Sequence, residues 1–117
     1  MKASLHNYRQ APRKVRLITE LVKGKSAIQA QAILSHLIKR GAEPIKKLLD
    51  SAISNAGMSA DKLMIKKATV DKGVVNKRWM PRAMGRAFPI HKHSSHVLIE
   101  LATKETVSKS KKLTPNA

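Results

Sequence analysis

Apolar positions recur at helical intervals through the first half of the chain and at strand-like intervals in the second. Residues 2–9 alternate loosely, as an edge strand does. Pro12 then supplies the fixed φ of a first helical position, and Val15, Ile18, Leu21 and Val22 follow at three- and four-residue spacing up to Gly24, which predicts a helix over about 12–23. Ser26 with Gln29 forms a capping-box pattern. Ala30, Ile33, Leu34, Leu37 and Ile38 continue a second helical face until Gly41. Pro44 opens a third helix whose apolar face runs through Ile45, Leu48, Leu49, Ala52, Ile53 and Ala56 to Gly57.

Beyond Asp61 the period shortens. LMIKKATV at 63–70 alternates imperfectly, and HVLIELAT at 96–103 places Val97, Ile99 and Leu101 on one face. The two runs bracket RWMPRAMGRAFPIHKHSSH at 78–96, which is too basic and too interrupted to build a core of its own. Paired as antiparallel neighbours, the flanking runs carry this segment outward as a hairpin over about 76–96, its ten or so residues per arm spanning roughly 30 Å. A loop of this length within a compact domain is either functional or disordered. The size prior favours one domain over 1–103, and the polar, basic stretch 104–117 is expected to be a disordered tail.

Charge narrows the function. Lys and Arg number 24 against seven Asp and Glu, a formal net charge of +17. No fold requires such an excess, and a polyanion neutralises it best, so nucleic acid is the leading partner and an anionic membrane surface the second. No apolar run approaches membrane-spanning length and the N-terminus lacks a signal-peptide core, which reads as a mature cytosolic protein. Cysteine is absent, so disulfides and thiolate metal sites are excluded. With 42% hydrophobic but 3% aromatic residues, the core must be aliphatic, which argues against a broad aromatic base-stacking sheet.

The strongest chemical signal is the interval from Asp71 to Glu100, which contains no carboxylate but holds Lys72, Lys77, Arg78, Arg82, Arg86 and Lys92. In extended chain Arg82 and Arg86 share a face about 13 Å apart, a spacing that suits phosphate tracking; a solvated loop is the competing reading. Arg9, Arg13, Lys14 and Arg16 form a second cluster around the start of the first helix. Cations there oppose the macrodipole, so phosphate binding explains them, with a solvated helix face as the alternative. Glu20 four residues after Arg16 suggests a surface ion pair. His91, His93 and His96 invite a metal reading, but in a strand the third points away from the first two and no further ligand is near, so no metal site is expected. Trp79 and Phe88 either stack on bases or pack against each other across the hairpin. Asn55 reads as a cap more readily than as an RNA contact. No nucleophile elbow, P-loop, dinucleotide fingerprint or paired carboxylates occur, so no catalytic residue, cofactor or enzyme activity is expected.

Three stretches, APRKVRLITELVKGKS at 11–26, EPIKKLLDSAISNA at 43–56 and MPRAMGRAFPIHKHSSHVLIEL at 80–101, together resemble the bacterial large-ribosomal-subunit protein twenty-two family in order and spacing over about residues 2–103. The resemblance implies an α+β fold, three helices packed on a small three-stranded antiparallel sheet with a long protruding β-hairpin. It implies a structural rRNA-binding constituent of the large subunit that supports assembly, monomeric within the ribosome and in contact with neighbouring ribosomal proteins, in a bacterial cytoplasm or an organelle. Its tip, Arg82, Ala83, Met84, Gly85, Arg86 and Ala87, would line the nascent-peptide exit tunnel where macrolides bind and arrest peptides are sensed. The family's helix-one contacts fall on Arg13, Lys14 and Arg16, and Ser95 with His96 match its strand start. Arg9, Lys77, Arg78, Lys92 and His93 complete the expected rRNA-binding set. Met84 stands where lysine is common and His93 where arginine is common, so the tip carries fewer permanent charges than most relatives.

Two other classes compete. The near-continuous helix pair at 12–39 suggests a helix-turn-helix DNA regulator, although Ser26, Ala27 and Ile28 offer little to read bases with and the basic segment is left unused. A peripheral membrane protein would need a basic amphipathic helix with strong apolar exposure.

Overall fold

A computed structural model describes residues 1–106. The elements run β1 (Lys2–Tyr8), α1 (Pro12–Val22), α2 (Ala27–His36), α3 (Ala42–Ala56), β2 (Leu63–Pro81) and β3 (Ala87–Thr103), with 3-10 turns at Ala60–Lys62 and Ala83–Gly85. The expected α+β architecture is present: one antiparallel sheet of order β1-β3-β2, with α1 and α3 against it and α2 packed on α3. Residues 104–106 make one helical turn, and the rest of the tail expected to be disordered lies outside the described residues.

The core is aliphatic, as composition demands. Val15, Ile18 and Val22 of α1, Ala27, Ala30 and Leu34 of α2, and Ile45, Leu49 and Ala52 of α3 meet Leu63, Ile65, Val97 and Ile99 of the sheet. Each fully buried branched side chain contributes about 1.5–3 kcal/mol of transfer free energy. The imperfect alternation at 63–70 has a cause: a bulge between Ile65 and Lys67 absorbs one residue, so Leu63, Ile65, Ala68 and Val70 all turn inward.

The second helix is shorter than its apolar pattern. It ends at His36, Leu37 adopts an extended C-cap, and Ile38 is 96% exposed in the connection to α3. Extended backbone at Leu37 turns the next side chain off the helical face. The third helix starts two residues before Pro44, which falls in the first turn where its missing N–H is not needed. Ser26 does accept from the Gln29 N–H, at 3.4 Å, but the α1–α2 link is fixed mainly from outside: Gly24 N–H donates to the Ile65 carbonyl and Ile65 N–H to that of Lys25.

β2 and β3 extend well beyond their apolar runs and pair from Leu63↔Thr103 to Pro81↔Ala87. β1 pairs only as far as Tyr8↔Ser95. Past that point the sheet narrows to two strands and leaves the body as an arm, which stretches the molecule to 64 Å in its longest dimension. A second bulge between Lys72 and Val75 marks the exit. There the Ser94 hydroxyl donates to the Val74 carbonyl, and a Cβ on Gly73 would lie 2.6 Å from that hydroxyl and 3.2 Å from the Ser94 backbone. From Val75 to His93 no residue is buried.

Candidate nucleic-acid interface

Two adjoining clefts open around the N-terminus of α1, where the arm leaves the body. The larger, about 740 Å³, lies among Arg9 just before α1, Lys14 in its first turn, Arg40 from the α2–α3 connection, and Arg78, Lys92 and His93 on the arm. The second, about 460 Å³, is lined by Arg13, Lys14, Arg16, Lys72 and His93. Lys14 and His93 border both, and no carboxylate lines either. The helix itself adds partial positive charge, because Ala11 provides no side-chain cap and the first turn contains no acid. Cations from three separate parts of the sequence thus converge on one concave surface.

The acids lie elsewhere. Glu43 pairs with Lys47 at 3.0 Å and Asp50 accepts from the Gln31 amide at 2.7 Å, both on helix surfaces. Arg16 does not reach Glu20. Its guanidinium donates twice to the Val70 carbonyl, at 3.4 and 3.1 Å, clamping α1 to β2 while its outer edge borders the second cleft. Asn55 does not cap its helix; it is exposed, and its amide donates to the Lys2 carbonyl at 3.3 Å and ties α3 to β1.

Lys77 is exposed on the arm opposite His91. The rings of His91 and His93 lie on one face with centroids 6.2 Å apart, as their spacing requires. His96 is separate, its Nδ1 accepting from the Asn7 N–H at 3.1 Å and its ring 5.3 Å from that of His6. Ser95 has no accessible surface, and its hydroxyl is buried without a partner. Ser95 lies on the central strand with its side chain on the inward face that also carries Val97 and Ile99, so its hydroxyl is not presented to an RNA partner.

At the far end, residues 82–86 close the arm. The Arg82 N–H donates to the Arg86 carbonyl at 2.8 Å, and Met84 (φ 60°) and Gly85 (φ 67°) turn the chain in the left-handed region. Arg82 and Arg86 therefore stand across the mouth of a tight loop, much closer than the 13 Å expected of an extended segment, because the turn falls between them. Met84 projects fully at the apex. The two aromatics do not pack together: Trp79 is opposite Pro89 and Phe88 opposite Met80, which sends them to opposite faces.

Sequence reasoning missed Arg40, Gln10 and Asn76 in the larger cleft. Arg40 had a weak signal, a basic pair just before Gly41; the others had none. The helix-turn-helix reading fails on geometry, because Ala27 at the start of α2 is buried and Ser26 bridges to Met64 of β2. Among the described residues no helix is long and apolar enough to cross a membrane.

An α+β body carrying a cationic arm, with acid-free clefts at its root, defines the class of this protein: a small domain with one continuous, strongly basic surface. Residues 3–102 match the family model described as Ribosomal protein L22p/L17e. The large ribosomal subunit protein uL22 of Sorangium cellulosum is 50% identical over 105 residues, covering 86% of this chain and 94% of that protein. The proteins of the same name from Mycoplasma mycoides and Mesoplasma florum are 48% and 50% identical over 102 residues, covering 84% of this chain and 92% and 91% of theirs. The chain belongs to the L22p/L17e family of ribosomal proteins, which are structural components and not enzymes.

Proposed function

We propose that this chain, by family a structural constituent of the large ribosomal subunit, holds large-subunit rRNA by backbone neutralisation and shape. It supports subunit assembly and extends its β2–β3 arm along RNA to the wall of the nascent-peptide exit tunnel. The observation that carries the reading is the continuity of the acid-free surface, from the two clefts at the root to the Arg82–Arg86 tip. Phosphates suit the clefts, where side-chain cations and the α1 terminus act together. An arm of two strands with no buried residue is marginal in water, so its shape is supplied by what surrounds it. The rRNA contacts are assigned to Arg9, Arg13, Lys14, Arg16, Lys77, Arg78, Arg82, Arg86, Lys92, His93 and His96, with Arg40 and Lys72 added from the clefts.

The test is charge reversal at the root. Lys14→Glu combined with Arg78→Glu should weaken binding to a structured large-subunit rRNA fragment by at least tenfold while leaving the melting transition in place. Unchanged affinity would contradict the assignment. For the tip, a photo-crosslinker in place of Met84 in assembled subunits should capture a stalled nascent peptide; capture of rRNA alone would withdraw the tunnel-wall role.

A further inference from the structure

The one Trp of the chain is held off the core, and what lies beside it indicates why. Trp79 is 66% exposed. The register puts it on the same face of the arm as Lys77 on its own strand and as Pro89, His91 and His93 on the other. Phe88 and Met80 occupy the opposite face, so Phe88 does not cover Trp79. A flat ring in the open, beside a lysine and two imidazoles on an arm without a carboxylate, has the composition of a stacking platform for a single-stranded polyanion.

We propose that Trp79 stacks on an unpaired nucleobase of the RNA, with Lys77 and His91 placed against the adjoining phosphates. The inference rests on the RNA-binding reading above and specifies which RNA element the arm grips. A paired base is excluded as the target, because its faces are covered by its neighbours in the duplex and the A-form major groove is too deep and narrow for the ring; loops and bulges present bases splayed out. The uniform positive surroundings favour RNA over a mixed-charge protein surface.

Because Trp79 is the only Trp, its emission reports this site alone. The full chain is titrated with a structured large-subunit rRNA fragment, with a fully paired RNA duplex and with an acidic polypeptide, following affinity by labelled-RNA anisotropy and Trp79 by emission and acrylamide access. Stacking predicts that the rRNA fragment quenches and shields the indole and that the duplex does not. Trp79→Ala should weaken fragment binding about 5- to 150-fold and Trp79→Phe much less, while the salt dependence stays that of the wild type because no phosphate contact is lost. Both variants should melt with the parent, since Trp79 touches no core residue. If the fragment binds but the indole stays accessible and Trp79→Ala binds normally, the inference is overturned and the RNA reading stands. If the polypeptide shields the indole and the fragment does not, a protein partner replaces the base. Absence of any RNA binding would remove both.

Discussion

Gly73 sits where the sheet stops being three strands wide, and what matters there is its missing side chain. A Cβ would press on the Ser94 hydroxyl and on the backbone behind it, neither of which can swing aside without losing the bond to Val74. Gly73→Val should therefore cost about 1–3 kcal/mol, read as a lower midpoint in urea unfolding. Ser95 makes the complementary case. Its hydroxyl is buried and unpartnered, so Ser95→Ala should leave stability unchanged or raise it, and leave RNA affinity unaltered in the same binding assay. A loss of RNA affinity in that variant would show that the residue turns outward in the complex. At this scale the sequence was partly legible. The clusters Arg9 to Arg16 and Lys77 to Lys92 are visible as charge without acid, but the Asn55 tie to β1 and the Arg16 clamp depend on neighbours more than 50 residues away in the chain, and Ser95 is buried where β1 and β2 both pair with its strand. Such partners leave no mark on local spacing.

Among the elements, body and arm obey different physics. Ile99 lies on the central strand and is fully buried, and Ile99→Ala should cost about 2–5 kcal/mol. Replacing residues 78–90 with Asn-Gly, which joins the paired Lys77 and His91 through a two-residue turn, removes no buried side chain. Calorimetry should find the melting temperature of that variant within a few degrees of the parent, and RNA binding markedly reduced. A large drop in melting temperature would mean that the arm supports the body. Elements with a buried face were read well from periodicity: all three helices, the edge strand and the inward set Val97, Ile99 and Leu101. The end of α2 was overrun because Ile38 fits the helical period while standing in solvent. The outer halves of β2 and β3 form the hairpin expected from the flanking runs and the length between them, although two exposed faces leave no alternation there to mark strands directly. The extended spacing expected of Arg82 and Arg86 fails because the turn falls between them at Met84 and Gly85, within the tip that the family resemblance implies.

Across the whole molecule, charge is sorted rather than merely abundant. The described acids pair on helix surfaces or lie outside both clefts, and Arg9 of the β1–α1 connection, Arg40 of the α2–α3 connection and Arg78 and Lys92 of the arm collect on one side of the entry to α1. A net charge of +17 in a chain this size repels itself, and a polyanion held at the proposed surface would relieve that repulsion. The most direct measurement is the salt dependence of binding to a structured large-subunit rRNA fragment. With about ten phosphates neutralised, the logarithm of the affinity should fall against the logarithm of salt concentration with a slope of roughly −7 to −9. A slope near zero would contradict the account, whatever the affinity.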